Sequence, residues 1–141
     1  MRRLDTLPKE LLDQWWPQVE NLLAKGLLAC EGELDISQLR LLIVQGQVQV
    51  VLFLDEEDLL VGALGFEIVA YPNYRVANIV SFGGEGLLAG EGELEQFKTG
   101  LRRWGVSKIQ GWCRPAQARL FQKQFGATTP YQMIRIELEG D

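Results

Sequence analysis

The 141-residue sequence contains no histidine. This absence excludes mechanisms in which an imidazole activates a serine or cysteine nucleophile. It also excludes imidazole metal sites and histidine-based pH switches. Any catalysis must therefore use carboxylates, hydroxyls, a thiol, amines or backbone dipoles.

Cysteine is scarce as well, since only Cys30 and Cys113 are present. Two cysteines provide neither a disulfide framework nor a zinc-ligand cluster, so we expect a reduced, intracellular protein without a bound metal. Cys113 ends a predicted strand, where sites often form in mixed sheets. Both a reactive thiol and a small buried hydrophobic residue are compatible with that position, and the second is the more common case.

Long apolar runs and an excess of basic residues are also missing. No stretch approaches the ~20 residues that span a bilayer, and Asp5, Lys9 and Glu10 interrupt any signal-peptide core. Fourteen basic and 19 acidic residues give a net charge of −5, which repels phosphate backbones. We therefore expect a cytoplasmic protein with neither a membrane nor a nucleic acid as its partner.

The remaining composition is that of an ordinary globular protein, with 47% hydrophobic and 23% charged residues. A chain of this length buries roughly 68–70% of the surface that its unfolded form exposes. We expect a single domain over residues 1–141.

Hydrophobic periodicity predicts an alternation of strands and helices. Predicted strands cover residues 2–6, 47–54, 60–71, 75–82, 107–113 and 131–138. The first predicted helix starts near Pro8, and the second runs from a cap at Asp35 or Ser37 through Leu42. Two further predicted helices cover residues 91–104 and 116–125. Pro17 predicts a kink, or a break into two helices, near Trp16. An antiparallel meander followed by strand, helix, strand, helix and strand predicts a mixed α/β sheet with helices on both faces.

The second half of the chain carries the sharpest local motif. Residues 104–115 read WGVSKIQGWCRP, and they are followed by Ala118-Arg119-Leu120-Phe121 and then Phe125-Gly126-Ala127. Together with the element order, this motif resembles the GCN5-related N-acetyltransferase (GNAT) superfamily, in a divergent branch common in phage and prophage genomes. The resemblance runs from Leu7 onward and implies a GNAT-like, mostly antiparallel central sheet with one splayed strand pair.

The resemblance also implies an acyl-CoA-dependent N-acyltransferase that uses acetyl-CoA and a small-molecule or protein amine. It places the protein in the host cytoplasm or, if phage-encoded, in the virion. In such proteins the loop before the central helix offers backbone N–H groups to the coenzyme A pyrophosphate. The implied cofactor-binding residues are Val80, Ser81, Phe82, Gly83, Gly84 and Gly86.

Glu67 and Tyr131 are the candidate catalytic residues. Glu67 interrupts an apolar strand and is a candidate general base, although alternation also allows it to point to solvent between inward Phe66 and Ile68. Tyr131 could donate a hydrogen bond, or it could be a wedge at a strand end. The tyrosine that many GNAT enzymes use as a proton donor corresponds here to Phe121 or Gln122.

Acidic residues crowd the expected phosphate position, at Glu85, Glu91, Glu93 and Glu95. Like charges about 4 Å apart repel by about 1 kcal/mol in water and about 4 kcal/mol near a protein surface. Acids in a first helical turn also stabilise the helix dipole, so both interpretations stay open. We expect weak coenzyme A binding. The second hypothesis is a non-catalytic phage-associated binding or assembly protein, whose partner is another phage protein or a second copy.

Overall fold

The computed structural model describes residues 3–84 and 91–138. One sheet contains, in spatial order, β1 (Arg3–Thr6), β2 (Gln49–Leu54), β3 (Leu60–Ala70), β4 (Arg75–Gly84) and β5 (Val106–Gly111). The helices are α1 (Leu12–Gly26), α2 (Ile36–Val44), α3 (Glu91–Arg103) and α4 (Pro115–Phe125), and short 3-10 turns at Lys9–Leu11 and Leu27–Ala29 flank α1. Within the described ranges no helix is long and apolar enough to cross a membrane.

The predicted mixed, mostly antiparallel sheet is confirmed. The pairs β1–β2, β2–β3 and β3–β4 are antiparallel, whereas β5 pairs parallel with β4. A parallel pair needs a long crossover, which α3 supplies between the two strands. The predicted order of elements therefore holds from β1 through α4.

One face of the sheet packs against α1 and α2. Helix α1 buries Leu12, Trp16, Val19 and Leu23, whose spacing forms a single helical stripe. The partners of this stripe are apolar side chains of α2 and of the neighbouring strands, namely Leu39, Ile43, Val48, Val50, Leu52, Leu54 and Ala63. The predicted break at Pro17 is wrong, because α1 runs uninterrupted through it. The free energy gained by burying the apolar stripe on both sides of Pro17 exceeds the cost of the one backbone hydrogen bond that the proline ring removes.

Helix α2 begins where the sequence predicts a cap. The Asp35 carboxylate accepts a hydrogen bond from the Gln38 backbone N–H at 2.8 Å, and the Gln38 side chain accepts from the Asp35 N–H at 3.0 Å. This reciprocal capping box satisfies two N–H groups that have no partner inside the helix. The predicted cap at Asp35 is confirmed.

The opposite face of the sheet packs against α3. Phe97 and Leu101 of α3 are buried with Phe53, Leu64 and Phe66 of the sheet. The rings of Phe66 and Phe97 meet edge to face, with centroids 5.6 Å apart. Helix α3 thus lies across the sheet, as its predicted apolar spacing requires.

The predicted closing strand at residues 131–138 is wrong. The structure assigns no strand to these residues, and Tyr131 is 84% exposed and Leu138 90% exposed. Alternating apolar residues specify a segment that can form a strand, but not the edge on which it pairs. Helix α4 precedes this segment and buries no residue, so it does not return the chain onto the sheet.

Candidate functional site

Strands β4 and β5 pair over only part of their length. The parallel register runs from Arg75↔Val106 to Ile79↔Gly111. Strand β5 ends at Gly111, whereas β4 continues to Gly84. Within the described residues, the edge of residues 80–84 that faces away from β3 has no strand partner. We call this edge and the gap beside it the β4 opening.

A β-bulge marks the start of the β4 opening. The register between β3 and β4 passes from Phe66↔Ile79 to Gly65↔Ser81, which leaves Val80 without a partner residue. A bulge bends its strand and increases the local twist. The bulge at Val80 therefore gives a local reason for β4 and β5 to diverge after Ile79.

Helix α1 crosses β4 at very close range beside the opening. A Cβ atom on Gly83 would lie 1.9 Å from the Leu22 carbonyl oxygen, and one on Gly26 would lie 2.3 Å from the Phe82 backbone nitrogen. Glycine at both positions lets the two backbones touch. The close crossing therefore depends on Gly26 and Gly83.

The buried Ser81 hydroxyl belongs to this crossing. It donates a hydrogen bond of 2.5 Å to the Leu23 carbonyl, and the residue is 2% exposed. The side-chain positions of Ser81 and Gly83 therefore face α1, so that the cofactor-binding role predicted for them can use only backbone groups. Gly86 lies outside the described residues.

Three strands carry polar side chains at neighbouring register positions just before the opening. Glu67 is opposite Asn78, and Asn78 is opposite Gln110. The Asn78 Nδ2 donates to Glu67 Oε1 at 3.1 Å, and the Gln110 Nε2 donates to Asn78 Oδ1 at 3.5 Å. We call these three residues the polar row. It ends one residue before the last β4–β5 pair, Ile79↔Gly111.

Glu67 points away from the α3 side of the sheet. Phe66 and Ile68 both pack into the α3-side core, so alternation along β3 directs Glu67 to the other face. Glu67 is half-buried, and it lines an open cavity of about 420 Å³ together with Gln47, Gln49, Ile68 and Trp104. A carboxylate that is half-buried and fixed by one amide is able to accept a proton from a group bound in that cavity.

Tyr131 lies in a different cavity. It lines a space of about 380 Å³ together with Tyr71, Tyr74 and Gln110. Gln110 belongs to the polar row and also to this cavity, but the structure does not place the hydroxyl of Tyr131 and the carboxylate of Glu67 in one cavity. Glu67 is therefore one end of the polar row, whereas Tyr131 lies in a separate cavity beside Gln110, at the other end.

The predicted acidic cluster is only partly described. Glu93 is 6% exposed, and Glu95 is exposed and lies 3.6 Å from the Lys98 ammonium. Glu85 and the Glu91 side chain lie outside the described residues. Of the two acids of this cluster whose side chains are described, Glu93 is therefore buried and Glu95 is in contact with solvent.

The two cysteines contribute no further site. Cys113 is exposed, so its interpretation as a buried hydrophobic residue is wrong. Burial raises the pKa of the Cys30 thiol, and Glu33 raises it further while Arg114 opposes this. Phe121, one of the two residues that correspond to the tyrosine of the motif, stacks on Phe125 with ring centroids 6.0 Å apart and has no proton to donate. In residues 3–84 and 91–138 no cluster of acids and cysteines could hold a metal ion.

Sequence analysis missed Asn78 and Gln110. Asn78 is a polar residue between Ala77 and Ile79 in an otherwise apolar stretch, which is a visible signal. Gln110 stands in an alternating strand and carries no such signal. Their alignment with Glu67 depends on the register of three strands, which a single sequence does not fix.

Ser81→Ala should lower the free energy of unfolding by about 1 kcal/mol. The Leu23 carbonyl also accepts the Leu27 backbone N–H, so it keeps one partner after the hydroxyl is removed. Urea denaturation measures the change. Ser107→Ala is the matched control, because the exposed Ser107 hydroxyl makes only a 3.5 Å contact and should leave the stability unchanged. Equal effects of the two substitutions would contradict the role given to Ser81.

Comparisons with known proteins find similarity in structure and not in sequence. No family model matches the chain, and no curated protein matches its sequence. A ribosomal-protein-alanine N-acetyltransferase from Brucella melitensis biovar Abortus 2308 matches with a TM-score of 0.67 and 15% identity, covering 99% of this chain and 100% of that one.

Two aminoglycoside-modifying enzymes are similar to the chain as well. An aminoglycoside acetyltransferase from an uncultured soil metagenomic sample, solved in complex with sisomicin, has a TM-score of 0.67 and 15% identity, covering 99% of this chain and 97% of that one. An aminoglycoside 6'-N-acetyltransferase from Acinetobacter baumannii has a TM-score of 0.64 and 14% identity, covering 100% of each chain. The predicted GNAT fold is therefore confirmed.

Proposed function

We propose that the chain is an acyl-CoA-dependent N-acyltransferase with its site at the β4 opening and the polar row. The observation that carries the proposal is that β4–β5 pairing stops at Ile79, directly after the polar row. An extended, amide-containing chain such as pantetheine can pair with the backbone edge of residues 80–84. The thioester at its end would then lie close to Glu67 and Asn78.

The pantetheine part of the donor substrate fits this opening better than the phosphate part does. Its pantetheine part needs backbone partners and little width, which an unpaired strand edge provides. Its phosphates need positive charge, whereas the chain carries a net charge of −5 and has Glu95 exposed in the first turns of α3. We infer that pantetheine contacts contribute more to donor binding than phosphate contacts do.

The chemistry assigned to the site is direct transfer of the acyl group to an amine. The cationic amine first loses one proton to solvent. The neutral nitrogen then forms a bond to the thioester carbonyl carbon, the carbon–sulfur bond breaks, and the nitrogen loses a second proton. Glu67 accepts that proton, directly or through one water molecule, while the Asn78 amide holds its carboxylate in place at 3.1 Å. The departing thiolate takes its proton from solvent, because Phe121 or Gln122 stands where the motif has its tyrosine.

The acceptor is a cationic amine, as a small molecule or as a protein terminus. Net negative charge and the Glu67 carboxylate attract cations to this face. Similar folds occur in an enzyme named for ribosomal-protein alanine and in enzymes named for aminoglycosides, and all of these acceptors are amines. Membership of the phage-associated branch is retained as part of the proposal.

The test is an acetyl-transfer assay with millimolar acetyl-CoA and a panel of aminoglycosides and alanine-ended peptides. We expect release of free thiol together with a product that is one acetyl group heavier by mass spectrometry. Binding of acetyl-CoA without any turnover would instead support the alternative, a non-catalytic binding or assembly protein. The absence of a proton donor at Phe121 is the observation that favours that alternative.

Salt should strengthen the binding of acetyl-CoA. Raising the ionic strength from about 0.01 M to about 0.15 M shortens the Debye length from about 30 Å to about 8 Å, which screens repulsion between the phosphates and the negative chain. We expect the KM for acetyl-CoA to fall severalfold from a value near the upper end of the usual range, about 1 mM. Steady-state kinetics at several salt concentrations measure this.

S-acetyl-pantetheine is the matched control, because it keeps the thioester arm and lacks the phosphates. Its KM should not change over the same range of salt concentrations. A KM for acetyl-CoA that rises with salt would show that positive charge holds the phosphates, and the inferred repulsion would then be wrong.

A further inference from the structure

The charges of the chain are distributed unevenly along the sequence. Residues 68–84 and 96–136 hold nine of the 14 basic residues and none of the 19 acidic ones. The net charge of −5 is therefore an average over an acidic part and a basic part. Net charge alone predicts that phosphates are repelled, but a local basic patch is able to bind them in an acidic protein.

The sheet places part of this basic region at one of its ends. Strand β4 runs from Arg75 to Gly84, and Gly84 pairs with Gly62 of β3, close to the acidic turn at residues 55–58. The other end of the sheet carries the first residue of β4, the last residues of α3 and the first residues of β5. Four exposed basic side chains lie there, and we call them the basic end. They are Arg75, Arg102, Arg103 and Lys108.

Contacts across the basic end hold α3, β4 and β5 together. The Arg75 Nη1 donates to the Trp104 carbonyl oxygen at 2.6 Å, which ties the start of β4 to the C-terminus of α3. A guanidinium carries five N–H donors, so Arg75 keeps donors for a phosphate. Among the acids that the structure describes, none forms an ion pair with these four side chains. The basic end therefore has positive charge available for a ligand.

A cavity lined by aromatic rings lies beside the basic end. We call the space of about 380 Å³ that contains Tyr131 and Gln110 the tyrosine cavity, and the turn between β3 and β4 supplies the rest of its lining, Tyr71, Pro72, Asn73 and Tyr74. The rings of Tyr71 and Tyr74 meet edge to face, with centroids 5.7 Å apart. The Tyr71 backbone N–H donates to the Tyr74 carbonyl at 2.9 Å and closes the turn. This closed turn fixes the positions of the two rings relative to each other.

The lining of the tyrosine cavity fits a planar ring with polar edges. Nucleobases stack on aromatic side chains whatever the base is. The carboxamides of Asn73 and Gln110 each combine donors with an acceptor, as hydrogen bonding to the edge of a base requires. No described carboxylate lines the cavity, and the Lys108 ammonium lies 4.7 Å from the centre of the Tyr74 ring, so a cationic ring is disfavoured.

The number of cations narrows the choice of ligand further. A single aromatic carboxylate matches one positive charge, whereas the basic end has four. A chain of nucleotides carries one negative charge for each ring, and its phosphates lie outside the cavity that holds the base. Rings and cations side by side are the two parts of a surface that binds a single strand.

We propose that the tyrosine cavity and the basic end together bind single-stranded nucleic acid, with one base against the tyrosine rings and the neighbouring phosphates on the four cations. A single strand is specified because its bases are free to leave the stack and lie on aromatic side chains. The proposal replaces the expectation drawn from the net charge, and it does not depend on the acyltransferase function. Glu67 lines a different cavity, so the amine site and the phosphate site are separate.

Fluorescence anisotropy of the full chain with a labelled single-stranded RNA of about ten nucleotides, within the usual range of site sizes, tests the proposal. At physiological salt we expect a Kd of about 10⁻⁴–10⁻⁶ M, as is typical of binding without sequence preference. Each phosphate contact contributes about 0.7 to the slope of log Kd against log salt concentration, so four contacts predict a slope of about 3. Salt should thus weaken RNA binding, which is the opposite of its expected effect on the KM for acetyl-CoA.

Two substitutions separate the contribution of the rings from that of the charges. Tyr74→Leu should weaken RNA binding about tenfold and leave the salt slope unchanged, because it removes a stacking surface and no charge. Lys108→Gln should lower the salt slope by about 0.7. Lys25→Gln is the matched control for charge, since Lys25 is exposed and precedes Gly26, which contacts Phe82 near the far end of β4. It should change neither the Kd nor the slope.

A glutamate peptide of about ten residues, with a similar number of negative charges, distinguishes a nucleic acid from an acidic protein segment. We expect it to bind at least tenfold more weakly than the RNA, because it has no rings to stack. Unchanged circular dichroism spectra establish that the variants are folded. No RNA binding at millimolar protein, equal binding of the glutamate peptide, or a folded Tyr74→Leu variant that binds RNA as tightly as the unsubstituted chain would each overturn the proposal.

Discussion

Gly83→Ala should lower the free energy of unfolding by about 3 kcal/mol, the upper end of the cost of overpacking a core. The new methyl group would lie 1.9 Å from the Leu22 carbonyl oxygen, and that atom belongs to the backbone of α1 and cannot rotate aside. For a chain of this length, we expect the melting temperature to fall by on the order of 10 °C. Differential scanning calorimetry measures the change.

Gly100→Ala is the control for Gly83→Ala. Gly100 lies inside α3, and a Cβ atom there would meet no atom within 4 Å. Alanine is the better helix former by about 1 kcal/mol, so this substitution should raise the melting temperature. A mild effect of Gly83→Ala, comparable in size to that of Gly100→Ala, would show that α1 and β4 do not cross as closely as described.

Glu67→Gln should lower kcat for acetyl transfer by roughly 100-fold or more, because general base catalysis contributes about 10²–10⁴. Glutamine keeps an oxygen that accepts from Asn78 Nδ2, so the polar row and the melting temperature should hardly change. KM values for both substrates should stay within a few fold.

Glu57→Gln is the matched control for this substitution. Glu57 is an exposed acid in the turn between β2 and β3, away from the polar row, and its substitution removes the same charge. It should leave kcat unchanged. If kcat of Glu67→Gln stays within twofold of the unsubstituted protein while transfer is measurable, Glu67 does not act as the base.

The sheet from β1 to β5 was predictable because each strand is a local signal. Residues 75–82 were predicted for β4 and Arg75–Gly84 are found, since apolar runs bounded by turn residues mark strands. The strand predicted at residues 131–138 is wrong, although its pattern is equally clear. Local alternation does not identify the strand with which a segment pairs. The ion pair between Arg135 and Glu33 links positions about 100 residues apart in the chain.

The candidate site was less predictable than the fold. Glu67 stood out as an acid in an apolar strand, but its partners Asn78 and Gln110 come from the register of β3, β4 and β5. The bulge at Val80 shifts that register by one residue, and nothing in the local sequence marks it. The close contacts of Gly26 with Phe82 and of Gly83 with Leu22 likewise join residues that are distant in the chain.

Hydrogen exchange at the backbone amides of residues 80–84, measured by NMR with and without millimolar S-acetyl-pantetheine, tests the acyltransferase site most directly. If the thioester arm pairs with the open edge of β4, amides in this stretch should exchange more slowly when it is bound, while those of β1 and β2 should not change. Unchanged exchange at residues 80–84 under conditions where the thioester is bound or consumed would contradict the account, because the donor would then bind elsewhere.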